Sequence, residues 1–202
     1  MADFKKAYLK LTKAEFSNRP EKFLHKNSGE SDITLGGIYR KANPESFDWE
    51  FIDKIIKACF YDYERASILL YNDSNTKESV FNFFRTHYWD KIRLDEVQNQ
   101  NTAEEIFLMG VVTHPRTAIR LAQKLILVNP DGICGKYTLK ALNNYNADMF
   151  DRQYDNFEMK HFDFIIEQNP DLSINREGWY SRSILVGTSL FIVGLSDILV
   201  QF

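Results

Sequence analysis

Glu15 is the residue of this sequence whose position first suggests chemistry. Residues 4, 8, 11 and 15 fall on one line of a helix predicted over about 3–16, and the first three are Phe4, Tyr8 and Leu11. Glu15 therefore continues an apolar stripe at the last helical turn. A carboxyl group in such a place loses hydration, which disfavours its charged form and raises its pKa. A protonated carboxylic acid at neutral pH is the group that a glycosidase uses to protonate a leaving-group oxygen.

An ordinary structural role for Glu15 is the alternative. A glutamate at a helix end commonly points into water or pairs with a basic neighbour, and Lys10, Lys13 and Arg19 are all close in sequence. The helix pattern leaves both interpretations open. They differ in one observable, because an acid that serves catalysis lines a cleft, whereas one that serves only stability lies in a salt bridge on a convex surface.

The polar stretch from Arg19 to Pro44 follows directly and shows no helical pattern, so we expect a loop or a short hairpin there. Residues 27–32 are dense in hydrogen-bonding groups, as a site that reads sugar hydroxyls and N-acetyl groups would be. An insert of this length in a compact domain is more often functional than idle. Glu30 and Asp32 are candidates for a second carboxylate, with ordinary turn residues as the alternative interpretation.

Other catalytic patterns are absent from the sequence. It contains no Walker loop, no dinucleotide-binding glycine motif, no zinc-protease motif and no nucleophile elbow. The four histidines are scattered without ligand spacing, namely His25, His87, His114 and His161. We therefore expect neither a metal site nor an organic cofactor.

The elements that would position these residues are predicted to be α-helices. Only 9 glycines and 5 prolines occur in 202 residues, and apolar residues recur at spacings of three and four. After the first helix, further helices are expected from near Ser46, from about Thr76, from a capping box at Thr102–Glu105, from Pro115, at about 136–144, at 147–168 and from Asn175.

Composition excludes several classes of protein. The 25 basic and 28 acidic residues give a net charge of −3, so a nucleic-acid partner is not expected, because phosphate binding requires clustered positive charge. Cys59 and Cys134 cannot build a disulfide framework. Aromatic residues make up 14% of the chain, which indicates an aromatic core or, as the less favoured alternative, a groove for flat ligands.

Both ends of the chain carry expectations about location. The first residues lack the apolar segment of a signal peptide, so we expect synthesis in the cytoplasm and action at the cell wall or periplasm after release by another route. The tail at 184–202 is apolar almost all round. It is expected to be a buried helix or a dimer contact, and contact with a membrane is the alternative.

Five motifs in order resemble one known family, the muramidases of glycoside hydrolase family 108 from phages and bacteria. Glu15–Asn18 corresponds to the family's Glu-Gly-Gly-Tyr-like box, and Thr34–Tyr39 to its Thr-x-x-Gly-Ile segment. Tyr88–Val97 is similar to its Tyr-Trp segment. Residues 118–139, with Asp-Gly-x-x-Gly-x-x-Thr at Asp131–Thr138, resemble its peptidoglycan-binding region, and 175–182 resembles the closing Gly-Trp-x-x-Arg.

The resemblance implies an all-α, lysozyme-like fold with a small C-terminal helical subregion that binds peptidoglycan. The domain limits it implies are 1–112 for the catalytic region, 113–183 for the wall-binding region and 184–202 for the tail. The substrate would be the bond between N-acetylmuramic acid and N-acetylglucosamine in bacterial peptidoglycan, cleaved as phage endolysins do. Glu15 would be the catalytic acid. The implied substrate contacts are Asn18, Asp32, Thr34, Gly37, Ile38, Tyr39, Tyr88 and Trp89, and the implied wall-binding residues are Asp131, Gly132, Gly135 and Thr138.

Two departures from the family pattern motivate a rival without activity, and one of them is a loop between Glu15 and Thr34 that is longer than in the commoner members. Phe16 and Ser17 replace the two glycines that follow the catalytic glutamate, so the close backbone approach that those glycines allow is in doubt. The alternatives are a lytic transglycosylase, which also works with one glutamate, and a wall-binding protein that kept the fold after losing activity.

Overall fold

The computed structural model describes residues 1–27 and 30–186. Within them the chain contains nine α-helices and three two-residue strands. Their bounds are α1 Phe4–Phe16, β1 Leu24–His25, β2 Thr34–Leu35, β3 Ile38–Tyr39, α2 Trp49–Ala58, α3 Tyr63–Asn72, α4 Ser74–Phe84, α5 Gln100–Val112, α6 Pro115–Leu125, α7 Lys136–Asn144, α8 Ala147–Gln168 and α9 Arg176–Ser183.

Two compact units make up the described chain. The first, here called the hairpin unit, comprises Lys5–His87, and the second, the bundle unit, comprises Met1–Phe4 and the chain from Tyr88 onward. The predicted limit at 112/113 separates α5 from α6, which the structure groups in one compact unit. The limit was predicted as the border between a catalytic and a wall-binding region, and it stays a prediction together with the other domain limits.

The hairpin unit contains a small antiparallel sheet in the polar stretch. The strand order is β1-β2-β3, with Leu24 opposite Leu35 and Thr34 opposite Tyr39. Gly36 and Gly37 form the two-residue turn between β2 and β3, and their φ angles are +56° and +89°. A tight hairpin turn of this kind requires positive φ at both central residues, which glycine adopts without a steric penalty.

Ser67 of α3 ties this sheet to the helices of the hairpin unit. Its hydroxyl donates a hydrogen bond to the Pro20 carbonyl and accepts one of 2.8 Å from the Leu24 amide, and the side chain is fully buried. In the described sheet β1 is an edge strand that pairs with β2, and the serine supplies a partner for the Leu24 amide.

Helix α5 is central to the bundle unit. Every residue from Thr102 to Gly110 is buried, as expected of a helix that contacts neighbours on all sides. It packs against α6, α8 and α9. Asn99, rather than Thr102, caps this helix, since its side chain accepts a 3.0 Å hydrogen bond from the Thr102 amide. The predicted capping box at Thr102–Glu105 is therefore wrong, and those residues lie inside the helix.

Most of the other predicted helices agree with the structure within a few residues. The main difference is α3, which was not predicted, because its buried face consists of Ala66, Ser67 and Leu70 and gives only a weak apolar pattern. Among the described residues, none of the helices is both long and apolar enough to cross a bilayer. The predictions for the apolar tail concern residues that lie, from 187 onward, outside the described part of the chain.

Candidate functional site

Glu15 lies in the last turn of α1 and faces the hairpin turn between β2 and β3. A Cβ atom added to Gly37 would be 2.9 Å from Glu15 Cγ and 3.0 Å from Glu15 Oε2. The first distance is shorter than real Cβ contacts and the second is at the tight limit, so a side chain at this position, which also has φ +89°, would push the Glu15 carboxyl group away from the turn. The helix end and the hairpin thus jointly fix where the Glu15 side chain sits.

The end of α1 is built from two residues in the left-handed conformation. Ser17 and Asn18 both have φ near 55°, and the Thr12 hydroxyl donates a 2.7 Å hydrogen bond to Asn18 Oδ1. Phe16, which stands where the family has its first glycine, keeps a helical conformation. Its ring packs against Phe23 at 5.5 Å between centroids. Phe16 is therefore a core residue.

A cavity of about 850 Å³ opens beside Glu15 within the hairpin unit. This is near the upper end of the usual size of ligand sites. Among the described residues, four carboxyl groups, two ammonium groups, one imidazole and one phenol line it, so it is rich in hydrogen-bonding and charged groups. The lining consists of Glu15, Glu21, Lys22, Leu24, His25, Lys26, Asn27, Glu30, Tyr63 and Glu64.

His25 contributes a nitrogen of defined character to this cavity. Its Nδ1 lies 3.0 Å from the Lys22 carbonyl oxygen. Since a carbonyl oxygen only accepts, Nδ1 must carry the proton of this hydrogen bond, and the neutral ring has its free lone pair on Nε2. In that form His25 can accept a hydrogen bond from a substrate at Nε2.

Arg40 holds Asp32, the predicted substrate contact and candidate second carboxylate. Arg40 Nε donates a 2.7 Å hydrogen bond to Asp32 Oδ1, and the Ile33 amide donates another of 2.9 Å. These hydrogen bonds, the one from Arg40 first, lower the pKa of Asp32. The described lining of the cavity includes Glu30 but not Asp32, so of the two candidates for a second carboxylate only Glu30 faces the same space as Glu15.

The other predicted substrate contacts of the hairpin unit lie in or beside the hairpin. Thr34 and Ile38 are buried, and the Tyr39 hydroxyl is hydrogen-bonded to Ser31 at 3.0 Å. Asn18 closes the end of α1. Gly37 touches Glu15, whereas the others shape the hairpin, and their contact with a substrate stays a prediction.

Tyr88 and Trp89 belong to the bundle unit. Trp89 is fully buried, packs on Phe4 and Phe107, and donates a 2.7 Å hydrogen bond from its indole to Asp95. A side chain without exposed surface cannot stack on a sugar ring. The structure thus places Trp89 in a core, in contrast to the predicted substrate contact, because an aromatic motif has the same sequence signature in both roles.

The predicted wall-binding motif is organised around one buried glutamine. Gln123 donates hydrogen bonds from Nε2 to Asp131 Oδ1 and Thr138 Oγ1, and its Oε1 accepts one from the Gly132 amide, all at 2.8–3.0 Å. Gly132 has φ +77°, and a Cβ there would meet the Arg116 carbonyl. Gly135 begins α7 and has open space around its Cα. The motif thus builds a turn and a short helix, and wall binding by it stays a prediction.

Sequence reasoning missed several residues of the cavity. Tyr63 and Glu64 come from α3, which was not predicted, and Glu21, Lys22 and Lys26 resemble ordinary surface residues in the sequence. A capping signal at Asp62 could have located α3, since its side chain accepts from the Arg65 amide at 3.0 Å. No sequence pattern indicates that α3 faces Glu15. Within residues 1–27 and 30–186, the group of three acidic side chains close enough to share a metal ion lies in the bundle unit.

Comparison with known proteins gives a fold but no family. No protein-family model matches the sequence, and no curated protein does. The solved structure of SagA from Brucella abortus is similar, with a TM-score of 0.59 at 18% sequence identity over 89% of this chain and 88% of that chain. Similarity at this identity concerns the fold alone. The predicted all-α fold class is thereby confirmed.

Proposed function

We propose that this protein is a peptidoglycan hydrolase of the N-acetylmuramidase type, with Glu15 as its general acid. The observation that carries the proposal is the place of Glu15, a half-buried carboxyl group at the edge of an 850 Å³ cavity, held against Gly37. Of the two interpretations of Glu15, this favours the one in which the acid lines a cleft.

The chemistry requires one proton at the bridging oxygen. Glu15 would donate it as the bond to the anomeric carbon breaks and positive charge develops on the sugar. The remaining groups suit a glycan, because hydroxyl and N-acetyl groups need many donors and acceptors, which Asn27, His25 and the lysines supply. Tyr63 offers an aromatic face for a sugar ring.

The order of motifs gives the finer assignment. The resemblance to glycoside hydrolase family 108 begins with Glu15 and includes the Thr34–Tyr39 segment, which contains Gly37. The all-α fold is the fold class that this assignment implies, and it supports the assignment at a coarser level. The replacement of the family glycines by Phe16 and Ser17 is compatible with this assignment, because the left-handed residues are Ser17 and Asn18 and Phe16 points into the core.

A second carboxylate would decide the stereochemistry. Glu30 is our candidate, since it lines the cavity with Glu15, whereas Asp32 is committed to Arg40. A separation of about 5–5.5 Å between two catalytic carboxyl groups is typical of retention, and one of about 6.5–9.5 Å of inversion. A lytic transglycosylase needs no such group. Mass spectrometry of digested wall separates the classes, because anhydro ends identify the transglycosylase and reducing ends the hydrolase.

The direct test is Glu15→Gln, assayed by the clearing of purified bacterial cell walls. We expect clearing to fall by about 10²–10⁴-fold, the usual contribution of a general acid, with an unchanged melting temperature and unchanged sedimentation with walls. Glu78→Gln is the matched control, since Glu78 is an exposed residue of α4 outside the cavity. A Glu15→Gln variant that clears walls as fast as the wild type removes Glu15 from the mechanism.

A wall-binding protein without hydrolytic activity is the second candidate. The loss of both family glycines at Phe16 and Ser17 favours it, since a substrate could then lack its close approach to the backbone. Sedimentation with purified peptidoglycan in the absence of any clearing would support this candidate. In either case we propose that the protein acts at the bacterial cell wall.

A further inference from the structure

Three acidic side chains are buried together in the bundle unit. Glu105 of α5 and Asp155 and Glu158 of α8 are 2%, 5% and 3% exposed. One carboxylate oxygen from each lies within 4.8 Å of the others. We call this group the carboxylate cluster. Carboxylates are seldom buried unless a partner of opposite charge or several hydrogen bonds compensate for the lost hydration.

Asp155 lacks such compensation. Its Oδ1 is buried and accepts no hydrogen bond, and no described lysine, arginine or histidine forms an ion pair with Asp155 or Glu158. The hydroxyl of the adjacent Tyr154 donates its hydrogen bond to the Ala118 carbonyl at 2.8 Å, so it is not available as a donor to Asp155. The carboxylate cluster therefore contains a buried oxygen, Asp155 Oδ1, that accepts no hydrogen bond.

The electrostatics of the cluster agree with this geometry. Burial, followed by the charge of Asp151, raises the pKa of Asp155 to about 7. Burial also raises the pKa of Glu158, although a hydrogen bond from Ser183 opposes the effect. The side chains that shift the pKa values of Asp155 and Glu158 are thus acidic or neutral. A bound cation would stabilise the charged form of both carboxyl groups.

We propose that Glu105, Asp155 and Glu158 bind one divalent cation of the size of Ca²⁺, which links α5 to α8. The donor set consists of oxygen alone, which suits hard cations and not Zn²⁺ or Cu²⁺. Opposite oxygens of a Ca²⁺ site are about 4.6–5.2 Å apart, because each Ca–O bond is about 2.3–2.6 Å. Mg²⁺ suits the cluster less, because it demands near-ideal octahedral geometry with bonds of about 2.0–2.1 Å and usually keeps several waters.

The spacing on the helices explains how such a site forms. Asp155 and Glu158 are three residues apart on α8 and therefore project from the same face. Helix α5 packs against α8 in the bundle unit, and it brings Glu105. A cation held by both helices would replace mutual repulsion with attraction. The site is structural in this proposal and independent of the Glu15 cavity, which belongs to the other unit.

The test uses the full chain after dialysis against a chelator at pH 7.5. We expect CaCl₂ to raise the melting temperature by about 5–10 °C when its concentration is about 100 times the dissociation constant. Isothermal titration calorimetry should give one Ca²⁺ per chain and weaker binding of Mg²⁺. Asp155→Asn and Glu158→Gln should each abolish the Ca²⁺ response, and Glu167→Gln on the exposed face of α8 should retain it.

Two results would overturn the proposal that these residues form a cation site. One is a wild-type melting temperature that responds to none of Ca²⁺, Mg²⁺ and Mn²⁺. The other is an equal Ca²⁺ response in the wild type and in Asp155→Asn, which would place the cation elsewhere. If one variant does not fold, the proposal is still tested by the other variant and by the number of Ca²⁺ ions bound per wild-type chain. A stronger response to Mg²⁺ than to Ca²⁺ would contradict the assigned size. None of these outcomes depends on cell-wall hydrolysis.

Discussion

At the level of single residues, the position of Glu15 depends on a neighbour without a side chain. Gly37 lies directly beneath the Glu15 carboxyl group, while Gly36, the other turn residue, faces Phe23 and Val80. Two adjacent glycines therefore serve different purposes. One permits the core contact of the hairpin, and the other permits the approach of the acid.

Replacing Gly37 by Ala should displace Glu15 and lower wall clearing by at least about tenfold. Both the positive φ and the 2.9 Å contact with Glu15 Cγ oppose a Cβ there, so stability should fall by about 1–2 kcal/mol as well. Gly36→Ala is the matched control, because it should destabilise the hairpin similarly through contacts with Phe23 and Val80. If the two variants lose activity in proportion to stability alone, Gly37 has no special role at Glu15.

Ser17 is expected to be a site of strain. A serine with φ near 55° adopts a conformation that glycine tolerates better. Ser17→Gly should therefore raise the free energy of unfolding by about 0.5–1 kcal/mol in urea denaturation. Ser79→Gly in the exposed interior of α4 should have the opposite sign. A loss of stability in Ser17→Gly would contradict the left-handed conformation at the end of α1.

At the level of helices and strands, an ion-pair network joins the hairpin to a helix of its own unit. Arg40, directly after β3, donates 2.7 Å hydrogen bonds to Asp32 before β2 and to Asp53 of α2. Strands of two residues have few ladder hydrogen bonds. We therefore expect these ion pairs to supply a larger share of the stability of the hairpin than ion pairs supply in a long sheet.

Asp32 should make the stability of the protein depend on acidic pH. Its pKa is lowered in the folded state, chiefly by Arg40, so its stabilisation is fully present above the unfolded pKa of about 3.9 and is lost as pH falls through the folded value. Asp32→Asn should cost about 1–2 kcal/mol at pH 7 and less at pH 2. Denaturation at both pH values, with Asp53→Asn as control, measures the difference, and an equal cost at both would refute the assignment.

At the level of the whole molecule, each of the two units contains one buried cysteine. Cys59 in the hairpin unit and Cys134 in the bundle unit are 3% and 5% exposed. Burial also raises the pKa of the Cys134 thiol to about 12, which leaves almost no reactive thiolate at neutral pH.

Neither thiol should react with a thiol-specific reagent at pH 7.5 within minutes, whereas two equivalents should react at once in denaturant. Mass spectrometry of the labelled peptides identifies which cysteine reacts first as denaturant is added. The order of reaction then reports which unit opens first. Rapid labelling of native Cys134 would show that its surroundings are more open than the structure indicates.

Local patterns along the chain were enough to predict the helical class and most helix positions, and they selected Glu15 as the candidate acid. These features depend on apolar spacing, capping residues and turn-forming glycines, which act over a few residues. The same rules predicted a loop or hairpin in the polar stretch. They failed for α3, whose buried face is only weakly apolar, and for the start of α5, where Asn99 and not Thr102 caps the helix.

Which residues meet became evident only from the packing of the folded chain. Packing brings α3 and Glu30 to the cavity of Glu15, puts Trp89 in a core and assembles Glu105 with two acids of α8. Each of these facts joins residues far apart in the chain, and their sequence signals are the same whether a side chain is exposed or buried. A carboxylate acquires its chemistry from what surrounds it, and no local pattern specifies those surroundings.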